Sequence, residues 1–244
     1  MNSNMHAVNL MPIHLRFPNQ RIIRLLTICL LVLGGNLSAA TLRFLPWDDA
    51  TAARRIALQS GSSLTEVTGL HPLRRSPPFG LARDAELRVV ALDRKDPEGK
   101  PVTVPLNMDA GMKSPLVLIL PDPKSPSGLR AFLVDDNAEA FRWGGIRFIN
   151  ATGRPFLVQH GQVVKPLPES WTPTDIQPDR TARNAMVRIA EQTDPKNILY
   201  SGIWEHSPDV RKLVFVVPGA DRSSVDTKII PEDRRATEEG DPTR

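Results

Sequence analysis

The sequence predicts an all-β fold behind a cleaved leader, and three features carry that prediction. After residue 40 the apolar runs are short, often alternate with polar residues, and end at proline or glycine. The chain has 23 prolines, of which only Pro12 and Pro18 precede residue 41, and proline lacks the backbone donor that a helix uses. The chain also resembles itself at an offset of about 100 residues.

The first 40 residues have the pattern of a secretory signal peptide. Arg21 and Arg24 precede an apolar run of eleven residues, from Leu25 to Gly35, and small residues follow up to Ala40. A membrane-spanning helix needs roughly twenty apolar residues. We therefore expect cleavage after Ala40 and no transmembrane segment in the mature chain. Translation from Met11 would give a leader of more ordinary length.

The only cysteine, Cys29, lies inside the leader, in a context that lacks the small residues of a lipoprotein signal. The mature chain therefore has no disulfide and no thiolate for a zinc or blue-copper site. An exported domain without disulfides fits a bacterial cell envelope better than a disulfide-stabilised extracellular module. We expect the protein to be periplasmic or secreted.

The charge balance argues against a nucleic-acid partner. Three of the 31 basic residues lie in the leader and none of the 27 acidic residues does, which leaves 28 against 27. Nucleic-acid binding requires a strong basic excess on one face. The short pairs Arg54-Arg55, Arg74-Arg75 and Arg234-Arg235 are expected to lie in solvated turns instead.

Ten segments have the length and composition of β-strands. Two of them, within SPLVLILPDP and RKLVFVVPG, are apolar on both faces, as in a central strand, and a proline ends each. The segments Pro121–Gly128 and Thr172–Thr181 are rich in proline and are expected to be loops. The ten predicted strands are Leu87–Leu92, Val102–Leu106, Leu116–Leu120, Leu129–Val134, Ile146–Ile149, Pro155–Gln159, Ala185–Ala190, Ile198–Glu205, Leu213–Val217 and Val225–Ile230.

Sliding the chain along itself shows the same order of segments twice, which predicts a tandem duplication. Chance alignment of apolar runs is the alternative, but polar residues also match, Arg43 with Arg147 and Gln59 with Gln159. The offset drifts in one direction, from 104 to 97, as small loop deletions would produce. The matches are LRFL (Leu42) with IRFI (Ile146), IALQSG (Ile56) with FLVQHG (Phe156), VVALDRKDP (Val89) with VRIAEQTDP (Val187), PLVLILPD (Pro115) with KLVFVVPG (Lys212), and LVDD (Leu133) with IPED (Ile230).

The duplication divides the mature chain into two units, residues 41–136 and 137–233, followed by a tail, residues 234–244. A unit of roughly ninety residues with six or seven strands has the size of an immunoglobulin-like β-sandwich. We therefore expect two tandem immunoglobulin-like sandwiches. The tail carries charge without apolar content and is expected to be disordered.

Catalytic and metal-binding motifs are not found. His160 precedes Gly161 in a short link between two strands and is expected to be a turn residue, with Ser60 as its counterpart in the first unit. Glu205 and His206 are neighbours at a strand end, so their side chains point to opposite faces. The histidines after the leader show no paired metal-ligand spacing. We expect no catalytic residue, no metal and no cofactor.

Tryptophans are the candidate binding residues. An exposed aromatic row on a β-sandwich suits stacking against sugar rings, whereas a buried tryptophan belongs to the core. Trp204 shares strand parity with Tyr200 and is expected in the core. The candidates for binding are Trp47, Trp143 and Trp171.

The segments IRFINATGRPFLV, from Ile146, and ILYSGIWEHSPDVRKLVFVVPG, from Ile198, resemble a group of exported bacterial β-sandwich proteins to which no function is assigned. The resemblance covers chiefly the second unit, and its motifs are structural. It implies an envelope or secreted location and an all-β fold, and it assigns no active-site residue.

These features favour an exported, non-catalytic binding or scaffold protein of the bacterial cell envelope, whose partner is an envelope protein or a glycan. One alternative is a carbohydrate-binding module that uses Trp47, Trp143 or Trp171. A second is a hydrolase with dispersed Asp, Glu and His residues. Exposure of the tryptophans separates the first two functions, and a cleft that brings His160 or His206 against a carboxylate would favour the third.

Overall fold

The computed structural model describes residues 41–82, 85–109, 111–181, 183–221 and 223–239. The predicted signal peptide, residues 1–40, and the last five residues of the tail lie outside the described residues. The described chain is all-β, as predicted, with strands arranged in four four-stranded sheets. No helix in these ranges is long and apolar enough to cross a membrane.

The elements of the first half, residues 41–136, are short strands and one helical turn. They are β1 (Thr41–Pro46), α1 (Asp49–Ala52), β2 (Ile56–Ser60), β3 (Ser63–Glu66), β4 (Phe79–Gly80), β5 (Leu87–Lys95), β6 (Pro101–Leu106), β7 (Pro115–Pro121) and β8 (Leu129–Asp135). The second half, residues 137–233, contains β9 (Ile146–Asn150), β10 (Phe156–His160), β11 (Val163–Leu167), β12 (Thr174–Ile176), β13 (Asn184–Glu191), β14 (Ile198–Glu205), β15 (Val210–Pro218) and β16 (Val225–Asp233), and α2 (Arg234–Glu239) follows it.

The two halves have the same sheet topology. The first half forms the sheets β4-β1-β7-β8 and β3-β2-β5-β6, and the second forms β12-β9-β15-β16 and β11-β10-β13-β14. The one parallel pair of each half has the same register, since Arg43 lies opposite Leu116 in β1 and β7, and Arg147 lies opposite Leu213 in β9 and β15. The residues described in each half therefore form a pair of sheets with one connectivity.

Matched polar residues take equivalent places in the two halves. The Gln59 and Gln159 side chains each donate a hydrogen bond to a turn carbonyl, of Gly61 at 3.3 Å and of Gly161 at 2.8 Å. The predicted match of Val89 with Val187 is wrong by two residues, because Arg88 lies opposite Gln59 and Arg188 opposite Gln159. An irregularity of β5 between Ala91 and Lys95 absorbs the difference.

Three hydrophobic clusters explain why β7 and β15 are apolar on both faces. In β7, Val117 and Ile119 point into the core between the two sheets of the first half, and β15 contributes likewise to the core of the second half. The opposite faces, with Leu118 of β7 and Phe215 of β15, meet in a third cluster. This third cluster joins the two halves, so their inner sheets pack against each other.

A buried network of charges lies between the same inner sheets. Arg75 donates two hydrogen bonds to Asp136, at 2.6 and 2.9 Å, and Arg211 donates to Glu232 at 2.6 Å. Both arginine side chains are at most 4% exposed. The expectation that the Arg74-Arg75 pair is solvated is therefore wrong for Arg75, whose buried charge is neutralised by the carboxylates of Asp136 and Glu232.

The ten predicted strands are confirmed, with no end shifted by more than three residues. The segment Thr172–Thr181, predicted as a loop, contains β12, because Ile176 reaches the core of the second half and pairs with Ile146. The tail begins with helix α2 rather than as a disordered segment. Asp209 holds its first turn through ion pairs with Arg234 and Arg235.

Candidate functional site

A cavity of about 650 Å³ lies in the second half, where β10 turns into β11. One wall comes from the end of β10, including Gln159 and His160, and a second comes from β13, including Met186 and Arg188. The loop after β12 lines a third side of the cavity, with Asp179 among its residues. The volume falls within the range of small-molecule sites, roughly 300–1,000 Å³.

Arg188 has a buried side-chain nitrogen, Nε, that makes no hydrogen bond. Its counterpart in the first half, Arg88, donates to the Glu86 carboxylate at 2.6 Å. The counterpart of Glu86 is Met186, since the turn amides of Gly61 and Gly161 donate to the carbonyls of these two residues. The second half therefore lacks the carboxylate that neutralises the equivalent arginine in the first half.

His160 also lines the cavity, but its side chain lies on the opposite face of the sheet from Arg188, because His160 pairs with Val187. The sequence predicted a turn residue here, and that prediction is wrong: His160 is the last residue of β10, and only 5% of its surface is exposed. The turn itself begins at Gly161, with φ of +58°. His160 Nε2 makes no hydrogen bond, whereas the equivalent Ser60 hydroxyl accepts one from the Ala82 amide at 2.9 Å.

Burial lowers the pKa of three basic side chains at or near the cavity, those of His160, His206 and Lys212. Burial lowers the pKa of His160 below its ordinary value, and the neighbouring His206 and Lys212 lower it further. The pKa of His206 is lowered for the same reasons, by burial and then by Lys212, although the Asp179 carboxylate acts in the opposite direction. Burial also lowers the pKa of Lys212, which donates to the Glu205 carbonyl. Both histidines are therefore neutral at neutral pH.

Neither histidine has the partners that hold a general base in place. The Nε2 atoms of His160 and His206 have no hydrogen-bond partner, whereas a general base is held by a nucleophile on one side and an orienting group on the other. The Asp179 carboxylate accepts instead from the Thr181 amide and hydroxyl, both at 2.8 Å. Within the described ranges, no group of three His, Cys, Asp or Glu residues could hold a metal ion.

The structure brings together two of the three candidate tryptophans. The rings of Trp47 and Trp171 lie 6.1 Å apart and both contact Phe215, in the cluster between the halves. The Lys228 ammonium lies 5.0 Å from the Trp47 ring centre. Trp143 lies apart from them, half-buried, with the Arg211 guanidinium 4.9 Å from its ring. Trp204 is buried in the core, as predicted, and stacks on Phe148.

Arg188 and Met186 were not among the residues predicted for the site. The signal for them is present in the sequence, because a repeat alignment at the correct offset of 100 places Met186 against Glu86. An alignment that keeps Asp96-Pro97 against Asp194-Pro195 has an offset of 98 instead, because of the irregularity in β5.

Comparison with known proteins adds no relative. No protein-family model matches the chain, and no curated protein matches it.

Proposed function

We propose that the protein is an exported, non-catalytic binding protein of the bacterial cell envelope, in which the second half binds the ligand and the first half is its scaffold. The two halves arose by duplication of one immunoglobulin-like sandwich, which their common strand order and register support. The leader directs the chain to the periplasm or the exterior, and its pattern of basic, apolar and small residues supports this.

The observation that carries the proposal is the unsatisfied Arg188 side chain at the cavity. Arg188 Nε is buried without a partner, although Arg88 is satisfied at the equivalent position. A buried polar atom without a partner costs about 1–3 kcal/mol, which a ligand with matching acceptors recovers. A guanidinium group fits a carboxylate or phosphate in particular. The ligand therefore carries an anionic group.

The alternatives have less support in the geometry. A hydrolase needs a base that is oriented by a third group, and neither histidine Nε2 has such a partner. A carbohydrate-binding face needs exposed aromatic rings, whereas Trp47 and Trp171 are half-buried against the cluster between the halves. Binding through Arg188 is therefore the function to test first.

Co-sedimentation with envelope fractions tests the proposal. The full-length protein, purified after any processing, is incubated with peptidoglycan, outer membrane or extracellular polysaccharide at low and high salt. We expect it to pellet with protease-sensitive membrane material, and Arg188→Gln to bind about ten-fold or more weakly, because a hydrogen bond to a charged group contributes about 1.5–3 kcal/mol.

Arg88→Gln is the matched control, since it changes the same residue type at the equivalent position of the first half, and it should pellet as the wild type does. Equal losses in the two variants would contradict a site in the second half. Pelleting with polysaccharide that is lost in Trp47→Ala would instead support the carbohydrate-binding function.

A further inference from the structure

The edge strands of the two outer sheets differ in length and in proline content, although the two sheets have the same topology. Strand β6 ends the sheet β3-β2-β5-β6, and β14 ends the sheet β11-β10-β13-β14. Strand β6 has six residues and contains Pro101 and Pro105, whereas β14 has eight residues and no proline. Proline and short length are the usual means of blocking an edge against further pairing. The edge of β14 lacks both.

The register shows which backbone groups of β14 face the open edge. The His206 amide donates to the Arg183 carbonyl, and hydrogen-bonded pairs alternate along antiparallel strands. The amide and carbonyl groups of Ser201 and Ile203 therefore point away from β13. No other described strand pairs with β14 on that side, so these groups are open to an added strand.

The exposed side chains beside this edge include large apolar residues, and the cationic side chain of Arg188 lies among them. Ile203 is 70% exposed, the largest value among the exposed large hydrophobic residues, and it lies opposite Met186, which is 38% exposed. Ser201 lies opposite Arg188. In the first half the residue equivalent to Met186 is Glu86, whose carboxylate pairs with Arg88. The second half therefore presents an exposed apolar strip next to an arginine that no carboxylate of the described chain pairs with.

We propose that β14 binds an extended, acidic and apolar peptide segment of a partner protein by strand addition, with a peptide carboxylate on Arg188 and a peptide apolar side chain on Ile203. This inference rests on the proposed function, because Arg188 is the anion-binding group of both. Main-chain bonds to Ser201 and Ile203 supply affinity, and the alternate side chains supply specificity.

The distance between strands determines where the acidic and apolar residues lie in the bound peptide. A strand added to β14 lies about 10 Å from β13, which is two strand spacings, and the side chains of an arginine and a glutamate together span that distance. Ser201 lies between Arg188 and the peptide glutamate, and its side chain is small enough to let the two groups meet. Because Ser201 and Ile203 share one face, the acidic and apolar peptide residues are two positions apart.

A displayed library of random twelve-residue peptides tests the inference against the full-length protein. We expect enrichment of extended sequences with an acidic and an apolar residue separated by one position. Ser201→Pro should abolish their binding while the fold is kept, because proline stands at the equivalent position, Pro105, in the first half and removes only an amide that faces outward. Arg188→Gln should weaken the same peptides about ten-fold or more, and Arg88→Gln should leave them unchanged.

Three outcomes would overturn the inference. Enrichment of peptides without acidic residues, or peptide binding that survives Ser201→Pro, would exclude pairing with β14 next to Arg188. No enrichment at all would exclude a peptide ligand. Light scattering that shows a dimer of the wild type and a monomer of Ser201→Pro would mean that the edge pairs with a second copy. In each case sedimentation of Arg188→Gln beside Arg88→Gln still decides the proposed function independently.

Discussion

At the scale of single residues, the site depends on which face of a strand His160 occupies. The sequence correctly placed a turn beside Gly161 but assigned His160 to that turn, and the strand in fact includes it. One residue decides the face, because successive strand side chains alternate between core and solvent. No sequence pattern distinguishes a buried polar residue at a strand end from an exposed one. The unsatisfied Nε2 atom of His160 was therefore not predictable from the sequence.

The buried state of His160 predicts a pH-dependent stability. A group whose pKa is lowered in the folded protein contributes stability that is complete above its unfolded pKa, about 6.5 for histidine, and that is lost as the pH falls through the folded value. The titratable groups that act on His160 are His206 and Lys212, and Asp179 acts in turn on His206. We expect the free energy of unfolding to fall between pH 7.5 and pH 5, and to fall less in His160→Ser.

Urea unfolding at a series of pH values measures this difference. His160→Ser introduces the residue of the first half, and its unfolding at pH 7.5 gives the pH-independent effect of the substitution. Parallel pH profiles of the wild type and the variant would show that His160 does not titrate within the folded protein.

At the scale of elements, strand content was predictable and strand register was not. The ten confirmed strands each contain a run rich in β-branched or other apolar residues. Strands β4 and β12 have two and three residues in proline-rich segments, and they exist because each pairs with the first strand of its half. Tertiary pairing, rather than local preference, forms them.

The equivalent turns of the two halves predict equal effects of one substitution. Gly61 and Gly161 have φ of +59° and +58°, and an added Cβ would meet only Ala85 at 3.6 Å and Ala185 at 4.0 Å. The cost of alanine is therefore that of a left-handed backbone, about 1–2 kcal/mol. We expect Gly61→Ala and Gly161→Ala to lower the free energy of unfolding by similar amounts in chemical denaturation.

Gly80→Ala is the control for this comparison, since Gly80 lies in β4 without a left-handed backbone and a Cβ there has open space. It should change stability by less than either turn variant. A large difference between the two turn variants would mean that the halves tolerate strain differently at this hairpin.

At the scale of the whole molecule, the two halves depend on each other. The sequence predicted two sandwiches and could not say how they meet, because a strand that is apolar on both faces fits any buried layer. In the structure the two halves meet in a shared hydrophobic cluster that includes Leu118, Phe141 and Phe215. The charge network beside it includes groups of both halves, so that unfolding of either half exposes the inner sheet of the other.

Arg211 is the residue on which this coupling is best tested. Its guanidinium donates to the Glu232 carboxylate at 2.6 Å and to the Asp136 carbonyl at 2.9 Å. Burial by itself raises the pKa of Glu232, but the charges of Arg75, Arg211 and Arg43 lower it further than burial raises it, so the carboxylate stays ionised. Arg211→Met leaves that buried charge short of partners, which typically costs about 3–5 kcal/mol.

We therefore expect Arg211→Met to lower the free energy of unfolding by about that amount in a single transition that both halves share. The matched control is Arg55→Met, because Arg55 pairs with Glu66 where both side chains are at least half exposed and such pairs contribute about 0–1 kcal/mol. Two separate transitions in calorimetry, with only one of them moved by Arg211→Met, would show that each sandwich unfolds alone. A single transition moved by Arg211→Met and not by Arg55→Met would instead mean that the interface supplies stability to both halves, because the buried charge on Glu232 can stay neutralised only while the two inner sheets remain packed.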